Sequence, residues 1–339
     1  MKFVRHILRP SHWLHLGFLL AAAGLAITHV GWRFGWTPSP VDIDLSAGEM
    51  MEMEDAVLVL KRFSIPSYAS GKPRQYVSEL HCMSGEGKAR KVENVTVSVN
   101  HPFRRKGWWV YQSSWGEDAH GRYTVLRCVR DPGLPVAATG GVLLLVGALM
   151  FAVKDWRRTA REENAVRVVE TAPTRGAGAW LRRNWPYLAA MAVSAFPVFF
   201  IGRSVLRPDR MPALQSPLLF PHILAYLFSY IVMLFAAFGL LRRMVGAAFF
   251  LMTLGLVLGA LWGKICWSEW WQFDPKEMWS LATWLTYGVY FHVKFFRGAS
   301  PAGRRRVERA LLVAGAVMVV LTLTWVNFSR LFNGLHSYA

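Results

Sequence analysis

Seven long apolar runs separated by polar stretches of unequal length set the layout of this 339-residue chain. They fall near 12–31, 135–153, 184–201, 219–241, 246–264, 279–296 and 310–327. Each is long enough to cross a hydrocarbon core of roughly 30 Å. Between the first two runs the pattern changes. VENVTVSVN and GRYTVLRCVR alternate apolar and polar positions and predict strands, with turns at SGEGKAR, HPFRRKG and GEDAHG. Pro66, Pro73 and Pro102 argue against long uninterrupted strands. The predicted fold is a polytopic α-helical membrane protein, about seven transmembrane helices, with an inserted β-rich extracytoplasmic domain of sandwich type. Its parts are an N-terminal helix (1–31), the β-rich insert (32–134), a second helix (135–153), a polar connector (154–183) and a membrane domain (184–339). The first run follows MKFVRHILRP but has no small-residue cleavage site before GWRFGW, so it reads as a retained helix.

Charge supplies the orientation. The chain is 53% hydrophobic with net charge +18. Placing the N-terminus in the cytoplasm and the C-terminus outside puts 19 Lys/Arg in segments 1–10, 154–183, 242–243 and 294–309, against 6 in the short outer loops 202–218, 264–278 and 327–339. That is the positive-inside asymmetry. The basic excess is therefore an orientation signal, and no nucleic-acid partner is expected. The insert, with 14 basic and 12 acidic residues, is nearly neutral. It carries Cys82 and Cys128, which an oxidising compartment would permit to pair; two buried free thiols are the equal alternative. Cys266 has no partner in its neighbourhood. The absence of CxxC and CxxCH excludes a thioredoxin-like reductant and a c-type cytochrome.

Candidate chemistry concentrates in 262–284, WGKICWSEWWQFDPKEMWSLATW, which holds six of the 16 tryptophans. Anchoring belts explain two or three of these. They do not explain Trp267, Trp270, Trp271 and Phe273 in one short loop, which predicts an aromatic platform for a large planar ligand. Trp267 and Trp271, at i and i+4, would share one helical face. Asp274, Pro275 and Glu277 suit a helix N-cap, N1 and N3 better than a catalytic acid pair.

The histidines sort by depth. His222, at the outer start of the fourth run, and His336, in the outer tail, flank the platform, so the pair would offer axial ligands to a haem. His292 lies 13 residues past Trp279, about 20 Å deeper at about 1.5 Å per residue. An ionisable residue there calls for a partner, though snorkelling to the inner interface is a plain alternative. By depth the partner is His15, then His12, then His29.

These residues resemble a known family. Trp267 through Asp274-Pro275-Lys276-Glu277 to Trp279, followed by TWLTY and His292, is similar to the WWD signature of the CcsA-type haem-handling proteins of system II cytochrome c synthases. SPLLFPHILAYLFSY and GLHSYA resemble that family's two external histidine contexts, at His222 and His336. DAVLVLKRFSIPSYASGKPRQYVSEL, VSVNHPF, WWVYQSSWG and YTVLRCVRDPG resemble the ResB/CcsB partner, so the chain looks like a shortened ResB–CcsA fusion. Ser268 and Phe273 stand where the family usually has Gly and Trp, and one span precedes the external domain where the family usually has more.

The resemblance implies a bacterial inner-membrane protein of cytochrome c biogenesis that moves haem b outward and presents it to the CxxCH of an apocytochrome c, as a holocytochrome c synthase. An extracytoplasmic thioredoxin-like reductant and a further membrane subunit are the other implied partners. An external site of His222, His336, Trp267, Trp270, Trp271 and Asp274, and a membrane site of His292 with His15 (or His12 or His29), would hold the haem iron and ring. No acid or base role is assigned. The rival readings are a haem exporter or chaperone without ligation, a b-type cytochrome taking electrons from quinol, and a structural scaffold.

Overall fold

The computed structural model describes residues 9–85, 91–169, 177–205, 207–295 and 300–324. Helix α1 (Pro10–Arg33) runs antiparallel to α2 (Leu134–Val169), and their contact is built on glycine. Gly17, Gly24 and Gly31 recur every seventh residue on α1, and the same spacing links Gly133, just before α2, with Gly140 and Gly147 on it. A Cβ at Gly24 would lie 2.4 Å from Ala137 N, and one at Gly140 would lie 2.2 Å from Ala21 N. In lipid, apolar helices gain little from hiding apolar surface, so close backbone approach across small residues is what holds such a pair.

Between these helices lies a β-sandwich. Strands β1 (Val41–Leu45), β8 (Gly121–Arg130), β7 (Trp108–Asp118) and β6 (Phe103–Arg105) form one antiparallel sheet in that order. The second runs β2 (Met50–Met53), β3 (Ala56–Ser64), β4 (Val77–Ser84) and β5 (Lys91–Ser98). Alternate residues of β3 and β4 turn inward, and Leu58, Leu60, Leu80, Val97, Val110 and Leu126 make the shared core. Ser78 Oγ donates to Gln112 Oε1 at 2.7 Å, tying the sheets together with a buried polar bond. The predicted turns are tighter than expected. HPFRRKG contains β6, its bend confined to Lys106 and Gly107 with φ of 45° and 84°. In GEDAHG, Asp118 pairs with Gly121, leaving a two-residue hairpin loop. SGEGKAR runs outside the described residues after Gly85. Pro66, Pro73 and Pro102 all lie off the strands.

The remaining helices are α3 (Ala177–Val205), α4 (Leu219–Ala237), α5 (Val245–Trp267), α6 (Pro275–Phe295) and α7 (Pro301–Leu323). Their core is aromatic and aliphatic, centred on Met233, Met252, Tyr287, Tyr290 and Val319. Among the described residues, four helical segments, Pro10–Arg33, Leu134–Asn164, Leu219–Ala237 and Arg242–Trp267, are long and apolar enough to cross a membrane. The chain is a membrane protein with a β-rich domain. The other three expected runs are helical in α3, α6 and α7 over their described part, but these helices also carry charge, such as Arg182, Arg183 and Lys294.

The connector expected at 154–183 is helical over much of its length, because α2 continues to Val169. Several of its charges are paired. Arg158 pairs with Glu162 at 2.8 Å, and Arg243 reaches back to Glu163. Lys294 Nζ meets the buried Asp155 at 2.6 Å and Thr159 Oγ1 at 3.2 Å, bolting α6 to α2.

Candidate haem-handling sites at two depths

Helix α5 ends at Trp267, and the chain turns through Ser268 and Phe273, both with positive φ (72° and 56°), before α6 begins at Pro275. The loop is therefore 268–274, and Trp267 and Trp271 do not share a helical face as their spacing suggested. Both nevertheless reach one cavity, because the left-handed turn at Ser268 folds the loop back over the helix end. Asp274 Oδ1 accepts from Lys276 N at 2.8 Å, and Glu277 Oε2 accepts from Asp274 N at 3.2 Å and Gln272 N at 2.9 Å. These bonds form a capping box that holds the loop on α6.

The cavity has a volume of about 590 Å³ and lies between α4, α5 and the start of α6. His222, Tyr226, Trp262, Trp267 and Trp271 supply its aromatic wall, and Arg210 and Lys276 its cations. Trp262 and Trp267 are 4.8 Å apart between centroids but tilted by 57°, so the surface is a cradle rather than the flat platform expected. Glycines on α5 make room: a Cβ at Gly259 would be 2.6 Å from His222 Cε1, and one at Gly255 would be 2.7 Å from Tyr226. His222 Nδ1 lies 2.9 Å from Gly255 O. A carbonyl only accepts, so the proton is on Nδ1 and the coordinating lone pair on Nε2.

Trp270 goes elsewhere. Its indole N–H donates to Asp131 Oδ2 at 2.8 Å. Asp131, at the exit from β8, also meets Lys264 Nζ of α5 at 2.7 Å, both side chains 1% exposed, and accepts from Thr28 Oγ1 of α1. Lys264 in turn donates to Ser268 O at 3.0 Å and lies 5.6 Å over the Trp109 ring. Burial opposes the charge on Asp131, yet the Lys264 ammonium, together with the hydrogen bonds from Lys264, Thr28 and Trp270, holds its carboxyl below the usual range. From the sequence alone Lys264 falls among the outer-loop charges and Asp131 has no assigned role. The signal was a lysine inside the helical stretch WGKICW, where a buried charge demands a partner.

At the other depth, His15 of α1 and His292 of α6 stand edge to face, 5.7 Å between centroids at 80°. His15 Nδ1 donates to Ser11 O at 2.5 Å and His292 Nδ1 to Gly288 O at 2.7 Å, so both lone pairs fall on Nε2. Phe18 and Trp284 stack at 5.7 Å beside them. His12 is exposed nearer the N-terminal end, and His29 sits at the far end of α1 against Trp32. His336 lies outside the described residues. Cys82 and Cys128 are buried free thiols in the sandwich core, as Cys266 is beside Trp262; burial pushes Cys128 up to about 11.

Residues 34–122 match the ResB-like family, and residues 234–336 match the Cytochrome C assembly protein family. Cytochrome c biogenesis protein CcsA of Prochlorococcus marinus (strain MIT 9303) is 44% identical over 96 residues, 28% of each chain. The proteins of that name from Gloeobacter violaceus (strain ATCC 29082 / PCC 7421) and Synechococcus sp. (strain WH7803) are 43% and 38% identical over 96 residues, covering 28% of this chain and 27% and 28% of their own. The chain thus spans little more than a quarter of the length of the curated relatives it matches. It joins a ResB-like segment and a cytochrome c assembly segment in one polypeptide.

Proposed function

We propose that this protein is a haem-handling enzyme of system II cytochrome c maturation in a bacterial inner membrane. In this reading seven helices span the membrane, with the N-terminus inside and the β-sandwich and C-terminus outside. Haem b is the substrate. His15 and His292 would take its iron near the inner side, and His222 with His336 would take it at the outer cavity, where Trp267 and Trp271 cover the ring.

The chemistry follows from that placement. Each CxxCH thiol of an apocytochrome c adds across a haem vinyl group: a sulfur–carbon bond forms, the thiol hydrogen goes to the other vinyl carbon, and no oxidant is consumed. The protein's contribution is orientation, holding vinyl and thiol at reacting distance in a water-poor cavity. Arg210 and Lys276 would receive the haem carboxylates, and Trp270 and Asp274 would shape the loop that covers the ring. An extracytoplasmic thiol reductant would keep the CxxCH reduced, and a further membrane subunit would complete the set of spans.

The observation that carries this reading is the outer cavity, where the His222 imidazole and three indoles line about 590 Å³, a volume in the usual range for cofactor sites. The test is to record the absorption spectrum of the purified protein and co-express it with a CxxCH apocytochrome in a host lacking its own maturation system. Haem bound at the outer cavity and covalent cytochrome, both lost in His222→Ala, His336→Ala and Trp271→Ala while haem at the His15–His292 pair remains, are expected. Bound haem without covalent product would make the protein an exporter or a b-type cytochrome, and no haem at all would sink the reading.

A further inference from the structure

A basic pocket of about 380 Å³ lies at the inner end of α2, lined by Met150, Val153, Lys154, Arg157, Arg158 and Arg161. Four cations and no acid line it. Arg158 has an ion pair with Glu162 on its own helix at 2.8 Å, with the glutamate more than half exposed. The buried Asp155, next to Lys154 in sequence, is taken up by Lys294 at 2.6 Å. The positive-inside rule accounts for the number of basic residues here but not for where they point. Lys154 Nζ lies 5.4 Å and Arg158 Cζ 4.8 Å from the centroid of one ring, Phe295. Phe295 follows His292 by three residues on α6, about 4.5 Å along the helix axis. The cations thus stand one turn inward of the His15–His292 pair, on the side from which a ligand in the cytoplasm arrives.

We infer that Lys154 and Arg158 form an entry subsite for the carboxylates of the porphyrin whose iron His15 and His292 take. The inference rests on the haem reading above and deepens it. A haem carries both carboxylates on one edge of an otherwise apolar ring. With the iron between the two histidines, a carboxylate edge directed toward the cytoplasm meets these cations, while the ring lies against Phe18, Trp284 and Phe295. Guanidinium and ammonium donors to carboxylate are charge-assisted hydrogen bonds, stronger than neutral ones. The same cations could instead hold the phosphate of an anionic lipid, a shared chemistry that the experiment separates.

The probes are ferric haem and its dimethyl ester, which keeps the iron and ring but lacks both charges. Affinities are measured on purified full-length protein in the His222→Ala background, which removes a ligand of the outer site, in discs of phosphatidylcholine with and without phosphatidylglycerol. We expect the diacid to bind about tenfold or more tightly than the diester. The Lys154→Gln/Arg158→Gln variant should bind both alike, with diester affinity unchanged as evidence of an intact histidine site. Equal binding of diacid and diester before substitution overturns the inference, as does a preference that survives substitution. An effect of substitution seen only with phosphatidylglycerol overturns it in favour of a lipid phosphate. Failure of both porphyrins to bind would instead remove the haem reading on which it rests.

Discussion

Asp131 and Lys264 form a fully buried ion pair at 2.7 Å that joins the exit of the β-sandwich to the helix carrying the tryptophan loop. Through it, Thr28 on α1, Trp270 on the loop and the Ser268 carbonyl are held at one point. Its sensitivity should be one-sided. Asp131→Asn leaves the ammonium buried without its counter-charge and is expected to cost about 3–5 kcal/mol, whereas Asp131→Leu combined with Lys264→Met should cost less, keeping only the loss of the Thr28 and Trp270 hydrogen bonds. Thermal melts of the three proteins in detergent check this; equal losses in single and double variants would show that packing, not charge, dominates.

The same pair sets a pH dependence. The folded carboxyl of Asp131 sits below its usual value, so its contribution is complete above the ordinary carboxylate range. It is lost as pH falls through the depressed folded value. Melting temperature should therefore drop on acidification more steeply in the native protein than in the Asp131→Leu/Lys264→Met variant. Parallel acid branches would refute the assignment.

Ser268 adopts φ of 72°, and its buried hydroxyl has no hydrogen-bond partner among the described residues. A side chain in the left-handed region costs roughly 1–2 kcal/mol, which glycine avoids. Ser268→Gly should raise the melting temperature without loss of haem binding. A lower one would mean the serine contributes something the backbone geometry hides.

The glycine seam between α1 and α2 should tolerate no side chain. Gly140→Ala places a methyl 2.2 Å from Ala21 N, where only backbone can give way, and is expected to cost about 1–3 kcal/mol. Because α1 carries His15, haem binding at the proposed His15–His292 site should weaken in step. Gly178→Ala, with nothing within 4 Å of the added atom, is the control and should change neither reading.

Trp270 separates structure from ligand contact. It donates its indole N–H to Asp131 while Trp267 and Trp271 line the cavity. Trp270→Phe should lower stability by about 1.5–3 kcal/mol, the range for a hydrogen bond to a charged group. Trp271→Phe should leave stability nearly unchanged and weaken haem retention. Melts and haem titrations on the two variants decide it, and a Trp270→Phe protein that loses haem while keeping its melting temperature would reverse the assignment.

The sequence by itself determined what depends on local periodicity and on depth. Apolar runs marked the helices, alternation marked β5 and β8, and residue counting along a helix put His15 and His292 at matching levels. Depth is legible because a helix rises by a constant amount per residue. Which side chains meet at a given depth is not, since it depends on how helices are rotated and packed. Only the tertiary structure brought the His15 and His292 rings together, turned Trp270 out of the cavity and Trp271 into it, and set Asp131 against Lys264. The loop shows the reason most plainly. Spacing placed Trp267 and Trp271 on one helix face, but a left-handed residue at Ser268 ends that helix, and the two indoles meet across a turn instead.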